Sequence, residues 1–462
     1  MTHHHVKSGY AALADRINLY PQGAPPSDTL YKILKILFSE KDAQQVSLLP
    51  VRPFNTKRAA RVWKTNISKA QNMLDDLADR GILLDMERDD GTQVYWLPPP
   101  MAGFFEFSLM RVREDIDQQA LGELFYQYIN VEEDFIKDLF ISGETRLGRI
   151  FVNEPVLSVE QNLCIVDHER ATEIVKAAKS WSVSPCYCRH IMQHMGRDCN
   201  AEKDMCMSFN ETARALIKHG HARALRMEEC LDLLHVAYDR KLVQFGSNCA
   251  EEVPYLCNCC GCCCEAMIAA RRFALLHPVN TTNFLPEVED AECTGCGKCV
   301  NICPVEAMVL ISANDPRKPK EKKAKLREEI CLGCGLCLGV CPGKHIKLKS
   351  RAQRVITPLN WGHLTVAMAI ERGKLQNLIF DNHAHLSHRA MAVILGVILK
   401  LPPAKQAIAN RLMKSRYLQA QLELQALRER GCEKDMSFQV ESKYKRALTD
   451  VFGRMKKAYS DR

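Results

Sequence analysis

The sequence of 462 residues has no apolar stretch long enough to cross a membrane. Its longest apolar run, from Ala390 to Leu399, has half of the roughly 20 residues that a spanning helix needs. The first residues lack the apolar segment of a signal peptide, so we expect a cytoplasmic protein without a transmembrane span. The chain also has no glycine-rich nucleotide loop, no H-E-x-x-H motif and no G-x-S-x-G motif. These absences disfavour a complete enzyme that depends on such a site.

Cysteine is absent from the first 163 residues, and the last 121 residues contain only Cys432. The other 21 of the 22 cysteines lie between Cys164 and Cys341. A chain of this size needs no disulfide bonds to fold, and nothing in the sequence suggests export. This concentration of thiols therefore predicts metal centres. Charge is uneven as well, because residues 351–462 contain 20 Lys and Arg against 9 Asp and Glu.

Residues 28–100 have the pattern of three helices followed by a two-stranded hairpin. Helices are predicted from Asp28, over Ala43–Leu49 and over Ser68–Arg80, and each is supported by apolar residues at helical spacing. The pair Asp90-Gly91 marks the turn of the hairpin. This succession resembles the winged helix-turn-helix domain of MarR-like and ArsR-like regulators.

The resemblance implies that the helix from Ser68 is a recognition helix and that the hairpin is its wing. Duplex DNA is then a candidate partner, with Gln71 or Asn72 at base edges. The phosphates would be contacted by the basic residues of the region, which are Lys57, Arg58, Arg61, Lys64 and Lys69. Three acidic residues of the same helix oppose DNA binding: Asp75, Asp76 and Asp79. We therefore favour a protein-interaction module over a DNA-binding domain.

The pattern C-x2-C-x2-C-x3-C-P occurs twice, in copies about 38 residues apart. Short spacings allow three thiolates to converge on one cluster, while the fourth ligand must come from farther away. Together the copies supply eight ligands: Cys293, Cys296, Cys299 and Cys303, then Cys331, Cys334, Cys337 and Cys341. Zinc sites pair two C-x2-C knuckles around one ion, which makes zinc the weaker alternative here.

Residues 284–351 resemble the bacterial 2[4Fe-4S] ferredoxin family, with repeats at about 284–313 and 322–351. In that family the fourth cysteine of each run ligates the other cluster. The resemblance therefore implies two [4Fe-4S] clusters with crossed ligands. The first set is Cys293, Cys296, Cys299 and Cys341, and the second is Cys331, Cys334, Cys337 and Cys303.

A second group of cysteines lies within residues 181–275, which we predict to be a helical region. Free cysteines in a core normally occur singly, so this group predicts at least one further metal centre. Its members are Cys186, Cys188, Cys199, Cys206, Cys257, Cys259, Cys260, Cys262, Cys263 and Cys264. The first four have the right number for an iron–sulfur cubane, and the last six either complete it or hold another centre. The alternative is a zinc site that combines His190 or His194 with Cys199 and Cys206.

The motifs C-x-C-R and CNCCGCCC resemble a group of cysteine-rich ferredoxins from anaerobic bacteria and archaea, which implies a class and no substrate. The sequence Cys259-Cys260-Gly261 also resembles the CCG motif of heterodisulfide reductase subunits, although that family carries two copies. A disulfide reductase component that uses Cys259 and Cys260 is therefore a further alternative. In that reading, Arg189 or Arg271 lowers the pKa of one thiol.

Taken together, the sequence predicts a multidomain α+β protein. Its parts are a winged helix-turn-helix at 28–100, connecting helices at 101–180, the cysteine-rich helical region at 181–275, a ferredoxin-like 2[4Fe-4S] domain at 284–351 and a basic helical C-terminus at 355–462. We expect an iron–sulfur electron carrier or an oxidoreductase subunit rather than a stand-alone enzyme. A redox-responsive transcription regulator is the main alternative.

The expected partners are redox proteins with acidic surfaces, since complementary charge accelerates their encounter. The apolar residues Leu395, Ile398 and Leu399 lie near several basic residues of the C-terminal block. Such a combination allows peripheral membrane contact. A helical cap over the clusters is the interpretation that we favour, because Gly396 and the Pro402-Pro403 pair interrupt the apolar stripe.

Overall fold

The N-terminal part of the chain is helical and carries a small three-stranded sheet. The computed structural model describes residues 8–429 except 89, 159–160, 162–163, 290–291, 315, 317–319 and 353. Side-chain caps fix where the first helices begin, as Ser27 accepts a hydrogen bond from the Leu30 amide and Asn66 from the Lys69 amide. The elements are α1 (Gly9–Ile17), α2 (Asp28–Leu37), α3 (Glu40–Ser47), β1 (Phe54–Asn55), α4 (Thr56–Trp63), α5 (Ile67–Asp79), β2 (Leu84–Glu87) and β3 (Gln93–Trp96).

The helices and the hairpin predicted for residues 28–100 are present, with differences in detail. Helix α3 begins at Glu40 rather than at Ala43, because Ser39 and Asp42 form a capping box. Helix α4 was not predicted as a separate element. Strands β2 and β3 pair in antiparallel register with Leu84 opposite Trp96, and β1 adds to β3. The winged helix-turn-helix assignment itself stays a prediction.

The middle of the chain is built around a six-stranded antiparallel sheet in the order β4-β8-β9-β6-β5-β7. Its strands are β4 (Gly148–Ile150), β5 (Trp181–Pro185), β6 (Asp204–Phe209), β7 (Arg223–Leu225), β8 (Val243–Ser247) and β9 (Tyr255–Cys259). The helices of this part are α6 (Phe105–Phe107), α7 (Gln118–Tyr126), α8 (Asp134–Phe140), α9 (Ala171–Ala177), α10 (Tyr187–His194), α11 (Asn210–Lys218), α12 (Met227–Asp239) and α13 (Glu265–Arg272). Short helical turns cover Pro100–Phe104, Gln127–Val131, Glu154–Val156, Asp167–Glu169 and Ala274–Leu276.

This sheet corrects two expectations, since residues 181–275 are not simply helical and residues 101–180 are not only connecting helices. The sequence of β6 shows the reason, because its buried residues Met205, Met207 and Phe209 follow the two-residue period of a strand. Cys257 and Cys259 of β9 lie on one face of the sheet with the same two-residue period.

The ferredoxin-like part contains two antiparallel strand pairs. Its elements are β10 (Phe284–Val288), α14 (Lys298–Ile302), β11 (Met308–Ser312), β12 (Lys322–Leu326), the helical turn Glu328–Ile330, α15 (Leu336–Gly339) and β13 (Ile346–Ser350). Strand β10 pairs with β13, and β11 pairs with β12. The first and last strands of the two repeats are therefore neighbours, so the repeats interlock rather than follow each other as separate units.

The described part of the C-terminal block is helical, over α16 (Trp361–Glu371), α17 (Leu375–Ile379), α18 (Leu386–Lys400) and α19 (Pro402–Glu429), and the rest of the predicted region, 430–462, lies outside the described residues. Helix α18 exposes apolar side chains, with Val393 68% and Val397 59% accessible. In the described part of the chain no single helix is long and apolar enough to cross a membrane. Helix α18 and the start of α19, bent by 86°, meet that criterion only as a pair, by length and composition. Peripheral membrane contact stays a prediction.

The N-terminal part is joined to the cysteine-rich part by a cluster of charged side chains at His219. Asp85 is buried and contacts His219 Nε2 at 2.9 Å and the Lys218 ammonium group. His219 Nδ1 lies 2.5 Å from Asp79 Oδ1 at the end of α5. Burial lowers the pKa of His219, but the hydrogen bonds to Asp85 and Asp79 outweigh it and raise the pKa above its usual value.

Two of the residues proposed to contact DNA are instead engaged in contacts within the protein. Gln71 donates to Asp75 at 2.9 Å and to the Tyr95 hydroxyl at 2.5 Å, so its amide is engaged within the domain. Arg58 is paired with the buried Asp381 of the C-terminal block at 2.7 Å. The other proposed contacts stay exposed: Lys57, Arg61, Lys64, Lys69 and Asn72. The engaged residues argue against DNA binding, which stays a prediction that we do not favour.

We predict that the junction at His219 weakens as the pH rises. Because the pKa of His219 is raised in the folded protein, its stabilisation is complete below the unfolded value of about 6.5 and is lost as the pH rises through the folded value. In His219→Gln, amide hydrogen exchange in β2 and α11 should be several-fold faster than in the parent at pH 6, which corresponds to about 1 kcal/mol. At alkaline pH the two proteins should exchange alike. His235→Gln, at an exposed position of α12, is the control, and a difference that does not depend on pH would contradict the prediction.

Candidate metal centres

The two ferredoxin runs fold as loops that only glycine permits. Gly295 and Gly333 have φ values of +67° and +72°, in the left-handed region. A Cβ atom on Gly295 would lie 2.0 Å from the Lys322 carbonyl oxygen, and one on Gly333 would lie 2.2 Å from the Phe284 carbonyl oxygen. Both glycines directly precede the second cysteine of their run, so the close backbone approach sets where that thiol is placed.

The first cluster position is a cavity of about 100 Å³ that is lined by Cys293, Cys296, Cys299 and Cys341. Three of these thiols come from the first run, and the fourth comes from the second run. They are the residues that the ferredoxin resemblance assigned to the first cluster. The pairing of β10 with β13 brings Cys341, which precedes β13, back to the first run.

At the second cluster position, Cys303 of the first run meets three thiols of the second. Burial, with the neighbouring thiols of Cys303 and Cys331, raises the pKa of Cys334 to about 12. Burial followed by Cys334, Cys331 and Cys303 also raises the pKa of Cys337 well above its usual value. Thiols buried in this way are hard to ionise unless a metal cation replaces the proton. The second predicted ligand set is therefore also brought together in space.

Backbone amides point at the sulfur atoms of both runs. The Ala307 amide donates to Cys303 Sγ at 3.1 Å, the Ala324 amide to Cys293 Sγ at 3.4 Å, and the Gly333 amide to Cys331 Sγ at 3.4 Å. Such hydrogen bonds stabilise negative charge on the sulfur and are one of the means by which a protein sets a cluster potential.

The ten upstream cysteines separate into two groups, and the first is a compact set of four thiols. The ligand atoms of Cys199, Cys260, Cys262 and Cys263 all lie within 4.8 Å of one another. The Cys199 and Cys260 sulfurs are 3.6 Å apart, and those of Cys262 and Cys263 are 3.7 Å apart. Within the described residues this is the one group of at least three His, Cys, Asp or Glu ligands that is so close. We call it the four-thiol site.

The other six thiols form a closed ring in which each interacts with two neighbours. Cys186 interacts with Cys188 and Cys206, which together lower its pKa well below the usual value. The remaining contacts close the ring, as Cys188 meets Cys264, Cys264 meets Cys259, Cys259 meets Cys257, and Cys257 meets Cys206. We call it the six-thiol ring.

Three structural features build this ring. Cys206 of β6 and Cys257 of β9 are paired in register across the sheet, and Cys259 follows two residues later on the same face. Cys186 precedes α10 as its N-cap residue and Cys264 precedes α13 in the same way. The partially positive N-terminus of a helix favours a thiolate, so both positions suit metal ligands.

This division differs from the set that the sequence suggested first. Cys199 does not join Cys186, Cys188 and Cys206 but lies with Cys260 in the four-thiol site. His190 and His194 stack on each other with ring centroids 4.8 Å apart, and His190 Nδ1 contacts the Leu109 carbonyl oxygen at 2.7 Å. Neither histidine is in the four-thiol site, so the zinc alternative through these rings gains no support.

Cys259 and Cys260 are adjacent in sequence but belong to different groups, which weakens the disulfide reductase alternative that pairs them. Arg189 is nonetheless placed as that alternative required. Contact with Cys263 lowers the pKa of Cys260 to about 4 and Arg189 lowers it as well. Arg189 is buried, and its guanidinium donates to the carbonyl oxygens of Glu202 at 2.7 Å and Asn258 at 2.9 Å. It therefore stabilises thiolates at the boundary between the two groups.

Two further cysteines of this region have structural positions. Cys230 and Cys249 are fully buried in the small core beside the sheet, and the Ser247 hydroxyl contacts Cys249 Sγ at 3.2 Å. Burial raises the pKa of Cys230 to about 12, so this thiol stays neutral. Both behave as small apolar residues rather than as ligands.

Two carboxyl groups near the six-thiol ring were not identified from the sequence. Burial and the adjacent Cys257 raise the pKa of Glu106 to about 8, and burial followed by Glu106 and Cys264 raises the pKa of Glu265 well above its usual value. Glu265 directly follows Cys264, which is a signal that could have been used. Glu106 lies in the apolar segment FFEF, where a lone carboxyl group also predicts an unusual environment.

The ferredoxin-like part packs directly against the four-thiol site. A cavity of about 650 Å³ is lined by Cys199, Cys260 and Cys262 on one side and by Cys303 and Pro304 on the other. A Cβ atom on Gly261 would lie 3.0 Å from Pro304 Cα, so the two backbones are in close contact. The Asn153 amide also donates to the Cys334 carbonyl oxygen at 2.9 Å, which fixes the second run to the segment after β4.

Comparison with known protein families agrees with this geometry in one segment. Residues 292–344 match the family model of the 4Fe-4S dicluster domain, and this range includes all eight cysteines of the two runs. Comparisons with curated proteins and with solved structures found no match. The chain therefore contains an iron–sulfur ferredoxin-like domain, and the number of its cysteines suggests iron–sulfur electron transfer.

We predict that Gly295→Ala removes the first cluster, because the added Cβ atom would collide with the Lys322 carbonyl oxygen. Iron content should fall by about four atoms per chain, the content of one [4Fe-4S] cluster. Gly297→Ala is the matched control. Its φ is also positive, at +76°, but the nearest atom to the new Cβ is Leu310 Cδ1 at 3.5 Å. This control should cost about 1 kcal/mol of stability and keep its iron. Equal iron contents in the two variants would contradict the prediction.

Proposed function

We propose that this protein is an iron–sulfur electron-transfer protein, either a ferredoxin-like carrier or a subunit of an oxidoreductase system. Two [4Fe-4S] clusters lie in the ferredoxin-like domain, and at least one further metal centre lies in the cysteine-rich part. Clusters of this kind exchange single electrons, and the protein sets their potentials by burial, charge and hydrogen bonds to sulfur. The proposal assigns the protein to the cytoplasm.

The observation that carries the proposal is the crossed arrangement of the eight ferredoxin thiols. Cys341 lines the same small cavity as Cys293, Cys296 and Cys299, while Cys303 lies with the second run. Independent zinc knuckles give no reason for such an exchange between repeats. In a two-cluster ferredoxin the exchange ties both repeats to both clusters and places the clusters close together.

The contact at Gly261 joins the cysteine-rich part to the ferredoxin-like domain. The Pro304 segment, next to the second-cluster ligand Cys303, packs on the loop that carries Cys260 and Cys262. Arg271 and Glu306 approach across the same junction at 3.8 Å. Both sides of this contact carry candidate metal ligands, so the cysteine-rich part is built directly onto the ferredoxin-like domain, and a redox-inactive ion such as zinc at the four-thiol site would support this junction rather than carry electrons.

The four-thiol site is the further centre that the geometry defines most closely. Four thiolates around a zinc ion with Zn–S bonds of ~2.3 Å are ~3.8 Å apart. The sulfur pairs at 3.6 and 3.7 Å match this spacing. In the ferredoxin runs no three ligand atoms approach one another within 4.8 Å, so the same chain holds its cluster thiols farther apart. The spacing therefore favours a single tetrahedral ion such as zinc over a cubane.

The surface next to the first cluster supports an acidic redox partner. Strand β12 borders this cluster, since the Ala324 amide donates to Cys293 Sγ, and its Lys322 and Lys325 are exposed. A partner with acidic groups around its own redox centre would be attracted to this strand and would approach the first cluster.

Metal analysis and EPR spectroscopy of anaerobically purified protein test the proposed function. We predict at least about eight iron and eight sulfide per chain, with signals of two interacting reduced [4Fe-4S] clusters. Cys341→Ala should alter the first cluster although this residue lies in the second run. Cys230→Ala, at a buried cysteine outside every group, should leave metal content and spectra unchanged. Colourless protein with zinc alone in the ferredoxin runs would contradict the proposal.

The same samples test the four-thiol site. About one zinc per chain should be present in the parent and absent in Cys262→Ala, while the ferredoxin signals stay unchanged. Cys262 is the exposed member of the site, so its replacement should disturb the fold least. A loss of iron and no loss of zinc in this variant would show that the site holds a cluster instead.

A further inference from the structure

The six-thiol ring has more ligands than one ordinary metal centre uses. A zinc ion takes four protein ligands and a [4Fe-4S] cluster takes four cysteines, whereas the ring contains six. The four-thiol site and the ferredoxin runs have their own ligands, so the ring is not needed to complete either. Its members come from β6, β9, the first turn of α10 and the residues just before α10 and α13, which gives them fixed positions.

Two carboxyl groups and a buried arginine lie beside the ring. Glu265 is 3% exposed, and neither of its carboxyl oxygens has a hydrogen-bond partner in the described part of the structure. Glu106 is a second carboxyl group close to the same thiols. Arg189 is the buried cation, and its guanidinium group donates to the Glu202 and Asn258 carbonyl oxygens. Unpartnered buried oxygens next to six thiols point to a bound group that the thiols would hold there.

A cavity of about 1100 Å³ opens beside the ring. Small-molecule sites typically measure about 300–1000 Å³, so the space exceeds what a metal centre alone would fill. All six ring cysteines line it, together with Glu106, Glu265 and Tyr187. The rest of its wall is mostly apolar and comes from the N-terminal part, the sheet and the C-terminal helices, as with Trp96, Phe107, Met110, Phe245, Trp361 and Leu378.

We propose that the six-thiol ring holds a polynuclear metal–sulfur centre and that the adjoining cavity binds a neutral, mainly apolar small molecule against it. The wall is largely apolar and its charged residues carry both signs, which suits a neutral molecule better than an ion: Arg52, Lys179 and Arg214 against Glu211, Glu251 and Glu252. The unpartnered oxygens of Glu265 and the unpartnered hydroxyl of Tyr187 provide hydrogen bonds for one polar group of the ligand. The proposal rests on the proposed function, in requiring that cells load this protein with iron–sulfur clusters.

The C-terminal helices α16 and α17 cover this cavity. Trp361, Thr365 and Val366 of α16 and Leu378 and Ile379 of α17 contribute to its wall. Helices α16 and α17 therefore cover the cavity beside the ring, whereas α18, which carries the apolar stripe of the predicted cap, contributes nothing to the wall and has exposed apolar side chains.

The metal centre is tested by metal content in ring variants. Cys257→Ala and, separately, Cys264→Ala should lose iron beyond the about eight atoms of the ferredoxin clusters, while the ferredoxin EPR signals stay as in the parent. Cys249→Ala, a buried cysteine outside the ring, is the control. Unchanged metal content in both ring variants would overturn the proposal. If the parent protein itself shows no ferredoxin EPR signals, the proposed function is refuted instead. The two failures are therefore distinguishable.

Ligand binding in the cavity is tested with Nile red, a neutral apolar fluorophore, which is added to the anaerobic holoprotein. We expect saturable binding of one molecule per chain, a change in the EPR signal of the ring centre, and at least tenfold weaker binding in Val366→Trp, which narrows the cavity. Val236→Trp is the matched control, since Val236 is 39% exposed on α12 and Val366 is 42% exposed on α16. Equal affinity in both variants, or binding that leaves the ring signal unchanged, would overturn the proposed ligand site.

Discussion

Thiols that are buried in groups are hard to ionise without metal cations, and this constraint accounts for the arrangement of the candidate sites. A thiol inside a protein stays protonated, as the raised pKa values of Cys334 and Cys337 show, until a cation makes ionisation favourable. Here such thiols are gathered by the fold at four places rather than dispersed through the core. Each place joins segments that are distant in sequence, so metal binding and folding are coupled throughout the central part of the chain.

The elements that gather the thiols also connect the centres. The six-stranded sheet sets Cys206 opposite Cys257, and the loop after β9 turns within a few residues from the ring to the four-thiol site. Close contact between Gly261 and Pro304 then places the ferredoxin clusters next to this loop. Arg189 stands at the boundary, where its charge stabilises thiolates of both groups. One sheet and one interlocked pair of repeats thus place the candidate metal ligands side by side.

The sequence predicted the ferredoxin-like part well, because its ligands follow a short motif that repeats and whose spacing depends on glycine in left-handed turns. It predicted the helices and the hairpin of the N-terminal part for the same local reasons. It did not predict the six-stranded sheet, since strands such as Asp204–Phe209 are short and lie in a region that the sequence predicts to be helical.

The sequence also did not predict that the ten upstream cysteines divide into the four-thiol site and the six-thiol ring. Cys199 meets Cys260 only through the packing of strands far apart in the chain, and no local pattern records that contact. Glu106 joins the site for the same reason.

Anomalous X-ray diffraction from anaerobically grown crystals, measured at the iron and zinc absorption edges, tests the central claim most directly. Our account predicts iron at both ferredoxin runs, with Cys341 Sγ bonded to the cluster of Cys293 and with Cys303 Sγ bonded to the cluster of Cys331. Zinc in place of iron at these runs would contradict it, as would two clusters that are each ligated only by the four cysteines of a single run.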